Sequence, residues 1–210
     1  MKIACLQNGP YYLLPDEKPA PTRGLRRQDG SSCQSTGGVA LCRCGGSASK
    51  PFCDGTHGRN GFSDRNTADA SANRRIAYVG KGITIFDNRA ICAHAGFCTD
   101  GLKKVFRMNA EPWIDPDGAA VAEVIATIEK CPSGALSYAK NGVEGTPLAR
   151  EPMVTVMDDG PYSVTGGIEL GGVAFGEGAS REHYTLCRCG GSKNKPFCDG
   201  THWHIGFRDP

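Results

Sequence analysis

The chain has 210 residues, a formal net charge of +2 and 39% hydrophobic residues. That length allows two or three small domains, and so small a net charge gives no strong field for nucleic acid or a membrane surface. With 29 glycines and 13 prolines, long helices are excluded as the dominant feature, and thin cores of this kind need a staple, which 11 cysteines could supply.

Residues 1–15 show no basic segment leading into a long apolar run, and no stretch reaches the ~18 apolar residues of a membrane span. The expectation is a cytoplasmic chain whose clustered cysteines are reduced and hold metal rather than disulfides. The odd cysteine count agrees with that.

Taken in chain order, Ile3-Ala4-Cys5 reads as a short strand and Asn8-Gly9-Pro10-Tyr11 as a turn. Cys5 alternates with apolar residues and belongs in a core, while Cys33, in Gly30-Ser31-Ser32-Cys33, has no ligand spacing. Cys42, Cys44, Cys53 and His57 then make C-x-C-x8-C-x3-H. Three thiolates and one imidazole suit zinc or an iron–sulfur cluster. The Gly45-Gly46 pair permits a loop that folds the sulfurs of Cys42 and Cys44 onto one metal. Cys53 and His57 are four apart and would share a face of one helical turn. Asp54 can cap that turn, Pro51 fixes the entering chain, and Lys50 adds positive charge beside an anionic cluster.

Residues 63–74 read as a polar linker. Beyond it, Ile76-Ala77-Tyr78-Val79 and Ile83-Thr84-Ile85-Phe86 flank Gly80-Lys81-Gly82 and predict a hairpin. Cys92, Cys98 and Cys131 follow, the last opening Cys131-Pro132-Ser133-Gly134-Ala135-Leu136. Against the ferredoxin pattern C-x2-C-x2-C…C-P, Cys92 and Cys98 fit the first and third cysteines, and Ala95 stands in place of the second. Either a [3Fe-4S] cluster forms on three cysteines, or His94 supplies the fourth ligand of a [4Fe-4S] cluster. A short helix after Cys98 would turn Leu102, Val105 and Phe106 inward. Asp115-Pro116 predicts a second helix over about 116–130, with Val121, Val124, Ile125 and Ile128 on its apolar face.

Residues 141–152 read as another linker, after which the opening pattern returns. Met153-Val154-Thr155-Val156 and Asp159-Gly160-Pro161-Tyr162 match the N-terminal strand and turn. Residues 186–207 repeat 41–62 without a gap, with 17 identities in 22 positions. Cys187, Cys189, Cys198 and His202 are the second donor set, with Lys195 and Asp199 in the places of Lys50 and Asp54. His183 and His204 read as surface residues rather than ligands.

The two loops, with Pro51-Phe52-Cys53-Asp54-Gly55-Thr56-His57 after Cys42-Arg43-Cys44 and its copy at 187–202, resemble the CDGSH iron–sulfur domain of the mitoNEET type. Thr56 and Thr201 replace the serine of the family name. The resemblance implies one [2Fe-2S] cluster per loop. Cys42 and Cys44 would hold one iron, and Cys53 and His57 the other. Cys187 with Cys189, and Cys198 with His202, would do the same in the second loop. It also implies a β-rich fold that pairs two such units. The middle stretch resembles the divergent single-cluster ferredoxin-like domain, whose C-x-H-x-G-x-C pattern keeps this histidine, and the resemblance favours His94 as the fourth ligand over the three-cysteine alternative.

The expected fold is therefore α+β. Two small β-rich units, 1–66 and 150–210, form a pseudo-dimer, with a ferredoxin-like α+β domain at 75–140 between them. No dinucleotide fingerprint or nucleophile–base set is visible, so the expected function is electron transfer rather than catalysis. The alternatives are an iron–sulfur cluster or iron transfer and storage protein, and a zinc-stabilised interaction module. The implied partner is a redox protein or an apo iron–sulfur acceptor, with no nucleic acid and no membrane, and the chain acts as a monomer with an internal pseudo-dimer or as a homodimer.

Overall fold

The computed structural model describes residues 1–14, 24–33 and 39–209. Its strands in chain order are β1 (Lys2–Cys5), β2 (Tyr11–Leu14), β3 (Leu25–Arg27), β4 (Val39–Leu41), β5 (Ile76–Val79), β6 (Thr84–Asp87), β7 (Leu136–Lys140), β8 (Val143–Glu144), β9 (Met153–Val156), β10 (Tyr162–Thr165), β11 (Glu169–Gly171) and β12 (Tyr184–Leu186). The short helices are α1 (Phe97–Gly101), α2 (Val121–Ile128) and α3 (Thr201–His204). Among the described residues, no helix is long and apolar enough to cross a membrane. The chain is β-rich with few helices, an α+β arrangement of small units.

Each repeat builds an antiparallel meander. In β2 the side chains alternate, Tyr11 and Leu13 inward and Tyr12 and Leu14 outward, as a half-buried strand requires. Asn8 and Asp159 take positive φ (48° and 50°) at the same place in the two β-turns, a conformation that Asn and Asp tolerate better than most residues. The sheets then exchange edges. β11, from the second repeat, pairs in parallel with β1, and β3, from the first, pairs in parallel with β9. The orders are β11-β1-β2-β4 and β12-β10-β9-β3.

The exchange gives both repeats one apolar core, in which Ile3, Tyr11, Leu25, Leu41, Val154, Tyr162 and Leu186 are nearly inaccessible. Tyr11 and Tyr162 meet edge to face at 6.0 Å. Each reaches across to the opposite loop. The Tyr11 hydroxyl donates to the carbonyls of Cys187 (3.0 Å) and Pro196 (2.9 Å). The Tyr162 hydroxyl donates to those of Cys42 (2.9 Å) and Pro51 (3.1 Å). A buried hydrogen bond of this kind is worth about 1 kcal/mol net, and more is lost if its acceptor is stranded.

The middle segment has its own sheet, β5-β6-β7-β8, and its own core around Ile85, Val105, Phe106, Ile114 and Val124. The expected hairpin is present, with Val79 opposite Thr84. Two expectations are corrected. The second helix starts at Val121 rather than 116, because Asp115-Pro116-Asp117-Gly118 closes a turn, with the Gly118 amide on the Asp115 carbonyl at 3.1 Å. Glu123 then holds the Ala120 amide at the helix entry (3.1 Å). The first helix includes Cys98 instead of following it. Leu102, Val105 and Phe106 come after that helix, in turns bonded back to the carbonyls of Cys98 and Leu102.

Candidate metal centres

In both repeats the donor loop leaves the last strand of the meander directly. Cys42 and Cys44 lie on one side of locally extended backbone, and Arg43 turns to the other, donating to the Leu6 carbonyl at 3.1 Å. Residues i and i+2 of extended chain share a face, so no fold-back at the glycines is needed to pair the sulfurs. Arg188 does the same, on the carbonyls of Gly160 (2.9 Å) and Met157 (2.6 Å) and on the Asp209 carboxylate. The second pair of donors is brought alongside by backbone bonds. The Cys42 amide reaches the Pro51 carbonyl and the Cys53 amide the Ala40 carbonyl, both at 2.8 Å. In the second repeat Cys187 reaches Pro196 (2.8 Å) and Cys198 reaches Thr185 (3.1 Å).

Within each loop the donors come in twos. The Cys42 and Cys44 sulfurs are 3.9 Å apart, and those of Cys187 and Cys189 3.8 Å. Two sulfurs held tetrahedrally at ~2.3 Å from one first-row metal stand ~3.8 Å apart. The Cys53 sulfur is 3.3 Å from His57 Nδ1, and the Cys198 sulfur 3.4 Å from His202 Nδ1. A single turn at 56–58 or α3 sets that spacing, entered through Gly55 or Gly200 at φ of 83° and 82°. Among the described residues, no three His, Cys, Asp or Glu side chains converge on one ion.

The predicted lysines and aspartates shape these loops. Lys50 and Lys195 donate to the carbonyls of Ser47 (2.7 Å) and Ser192 (2.6 Å). Asp54 accepts from the amides of Ala48 (2.8 Å) and Thr56 (3.0 Å), and those bonds hold its carboxyl far below the usual range. Asp199 takes the amides of Lys193 and Thr201; burial opposes its ionisation, but these bonds and the Thr201 hydroxyl hold it low. Amides also face the sulfurs, Gly46 to Cys44 and Gly191 to Cys189, each at 3.4 Å.

The third set lines a cavity of about 230 Å³, where Cys92, His94, Cys98 and Cys131 lie with Asp87, Arg89 and Trp113. That is several times the ~30 Å³ share of a liquid water. Ala95, standing in for the second ferredoxin cysteine, lines it too. Burial pushes the thiols of Cys92, Cys98 and Cys198 upward, Cys98 to about 11, and a bound metal cation would reverse that cost by taking the thiolates. Burial, Arg89 and His204 hold His94 low, in the neutral form a metal ligand needs. The His94 amide bonds the Cys92 sulfur at 3.4 Å. The donor chemistry and the cavity fit a cluster here.

Of the remaining cysteines, Cys33 is buried in the shared core and Cys5 packs against it, away from the three donor sets. His204 is exposed, but His183 is buried, correcting its expected place at the surface. It sits against Glu182 (2.8 Å), Ser180 (3.1 Å) and Arg150 (3.4 Å).

Asp87 escaped the sequence reading. It is 1% exposed beside the middle cavity, faced by Arg89 Nε at 3.3 Å, while Arg89 stacks over Trp113 at 3.7 Å. Burial raises its carboxyl to about 6, against the opposing effects of Arg89 and Trp113. A folded pKa above the unfolded one makes the native state bind the proton more tightly, so this group costs stability as pH rises from about 4 through 6. Asp87→Asn should therefore stabilise the middle domain above about pH 7 by on the order of 3 kcal/mol, with the gain vanishing toward pH 4. Hydrogen exchange of the β6 and β7 amides across pH reads this directly. A gain that grows toward acid would refute it.

Comparison with known proteins agrees with this layout. A family model described as the iron-binding zinc finger of CDGSH type matches residues 8–58 and 159–203, and one described as a divergent 4Fe-4S mono-cluster matches 78–141. The protein named "Uncharacterized protein YjdI" of Escherichia coli strain K12, and its namesake in Escherichia coli O157:H7, are each 48% identical over 61 residues, covering 29% of this chain and 80% of the relative. No solved structure matches the chain. Two CDGSH-type regions on either side of a divergent 4Fe-4S mono-cluster domain, each carrying its own set of paired or pocketed donors, make this chain an iron–sulfur protein of tandem CDGSH type with a central 4Fe-4S mono-cluster domain.

Proposed function

We propose that the chain is an electron-transfer protein with three centres: two [2Fe-2S] clusters on the repeats and one [4Fe-4S] or [3Fe-4S] cluster in the middle domain. Cys42, Cys44, Cys53 and His57 hold the first. Cys187, Cys189, Cys198 and His202 hold the second, and Cys92, Cys98 and Cys131, with His94, the third. The observation that carries the reading is the pairwise grouping of donors in each repeat, with two sulfurs 3.8–3.9 Å apart in one pair and a sulfur 3.3–3.4 Å from a histidine nitrogen in the other. That suits two adjacent irons better than a single zinc. Bound clusters of these types supply one-electron chemistry.

The chain's own residues fix the donors, shield them and tune them. A neutral histidine in place of a thiolate removes negative charge and raises the potential, as do the amides aimed at the sulfurs. The exchanged strands and reciprocal tyrosines support reading the repeats as an internal pseudo-dimer, with the Cys44 and Cys189 backbones bridged directly. The partner is a one-electron redox protein, and no catalytic role is assigned.

One observation favours a second reading, delivery of a cluster to an apo-protein: Cys53 and His57 are only half-buried. Mixing the holo-protein with an apo-ferredoxin, with and without dithionite, separates the two. Electron transfer expects reversible bleaching with all iron retained. Iron and colour moving to the acceptor would replace it with the delivery reading.

A further inference from the structure

The two donor loops are nearly the same sequence, yet their surroundings differ. Cys198 and His202 are 2% and 4% exposed, whereas Cys53 and His57 are half-buried. The middle domain contributes part of that cover, beside Trp203 of the repeat itself. A Cβ built on Gly200 would lie 2.6 Å from His94 Cδ2, so the His94 ring rests on the second loop between two of its donors. At Gly55, the matching place in the first loop, nothing among the described residues lies within 4 Å.

The loops differ at five of 22 positions; at two of them, Asn194 and Trp203, the side chain reaches the middle domain, and at a third, Lys193, the backbone bonds to the linker. The Lys193 carbonyl accepts from the Thr67 amide at 2.8 Å, where the first repeat has Ala48. Asn194, at the position of Ser49, donates to the Ala90 carbonyl at 2.8 Å. Trp203, at the position of Gly58, donates from Nε1 to the His94 carbonyl at 3.1 Å.

These contacts form one continuous path. The Cys92 sulfur accepts from the His94 amide (3.4 Å), and the His94 carbonyl accepts from the Trp203 indole. The Trp203 ring then lies 5.5 Å from the ring of His202, its chain neighbour. No comparable path leads from the middle domain to the first loop among the described residues.

We infer that the second repeat is the electron junction of the molecule: electrons pass between the middle centre and the second repeat through His94 and Trp203, and reach the first repeat only by way of the second. With clusters held by Cys92, Cys98 and Cys131 and by the second repeat's donors, the step would move one electron, oxidising the middle centre and reducing the second, with no bond made or broken. The electron enters from an external one-electron donor, dithionite in the test. The inference rests on the electron-transfer reading and adds an order, with the half-exposed first repeat at the far end.

The test is electron paramagnetic resonance of the dithionite-reduced holo-protein, with His57→Cys marking the first repeat's signal. The second repeat's signal should relax several-fold faster than the first's, and Cys98→Ser, by removing the middle centre, should abolish the difference. In rapid-freeze experiments Trp203→Gly, which copies Gly58, should slow arrival of the electron at the second repeat several-fold. Trp203→Phe, which keeps a ring but loses the N–H donor, should slow it less. Equal relaxation of the two signals, or unchanged rates in both Trp203 variants, would overturn the junction and leave the electron-transfer reading standing. Iron loss on reduction would overturn both.

Discussion

Gly45→Ala should strip iron from both repeats, although it alters only the first. Gly45 sits at φ 74° with its missing Cβ aimed at the Cys189 carbonyl of the other loop. Gly190 sits at φ 79°, and a Cβ there would lie 2.5 Å from the Cys44 carbonyl. The obstacle in each case is backbone, which no rotamer change can move aside. Alanine at such a φ costs about 1 kcal/mol by itself. The larger penalty is separation of the Cys44–Cys189 bridge, which displaces one donor of each set.

Gly30→Ala is the control. Gly30 has φ 88° and, among the described residues, nothing within 4 Å of its missing Cβ, so the backbone cost of about 1 kcal/mol is the one that applies. Iron content and visible absorption should fall for both repeats in Gly45→Ala and stay at the parent value in Gly30→Ala. Loss confined to the first repeat would show that the two loops are not coupled.

Acid should empty the first repeat before the second, and His57→Cys should abolish that first step. A histidine binds metal only when neutral, so protons compete with iron for it. His57 is half-exposed and within reach of solvent, while His202 is 4% exposed. Burial holds His202 below the usual histidine range despite the opposing pull of Asp199, and His94, Arg188 and His204 push the same way as burial. A lowered folded pKa means that protonation is resisted until the pH falls further, and iron binding adds to that resistance. Lowering the pH from about 8 to about 5 should therefore release iron in two phases, the faster from the first repeat. In His57→Cys the fast phase should disappear and the slow one persist. An unchanged fast phase would sink this explanation, as would release that begins at the second repeat.

The donor sets were legible because metal chemistry writes itself into local spacing. C-x-C followed by C-x3-H, used twice, needs no tertiary information to be read, and neither does the hairpin around Gly80-Lys81-Gly82. The edge exchange was not legible. Leu25-Arg26-Arg27 and Glu169-Leu170-Gly171 are three residues each, too short for alternation to mark them as strands, and their partners lie more than a hundred residues away. The early helix boundary failed because Asp115-Pro116 serves a turn as well as an N-cap, and close packing of Gly118 against the Lys104 carbonyl selects the turn. Asp87 and His183 were missed because a single polar residue carries no periodic sign of its burial. The residues that set the repeats apart, Asn194 and Trp203, stood in plain view as mismatches between two near-identical loops. Only the contacts with Ala90 and His94 give those mismatches a meaning.

Iron, acid-labile sulfide and zinc per chain, measured on anaerobically purified protein together with electron paramagnetic resonance before and after dithionite, test the three-cluster reading most directly. The expected result is about eight iron with matching sulfide, from two [2Fe-2S] clusters and one [4Fe-4S] cluster, and signals that appear on reduction. About seven iron with a signal already present in the oxidised protein would place a [3Fe-4S] cluster on Cys92, Cys98 and Cys131 and leave His94 to the junction alone. Zinc without sulfide would contradict the reading altogether.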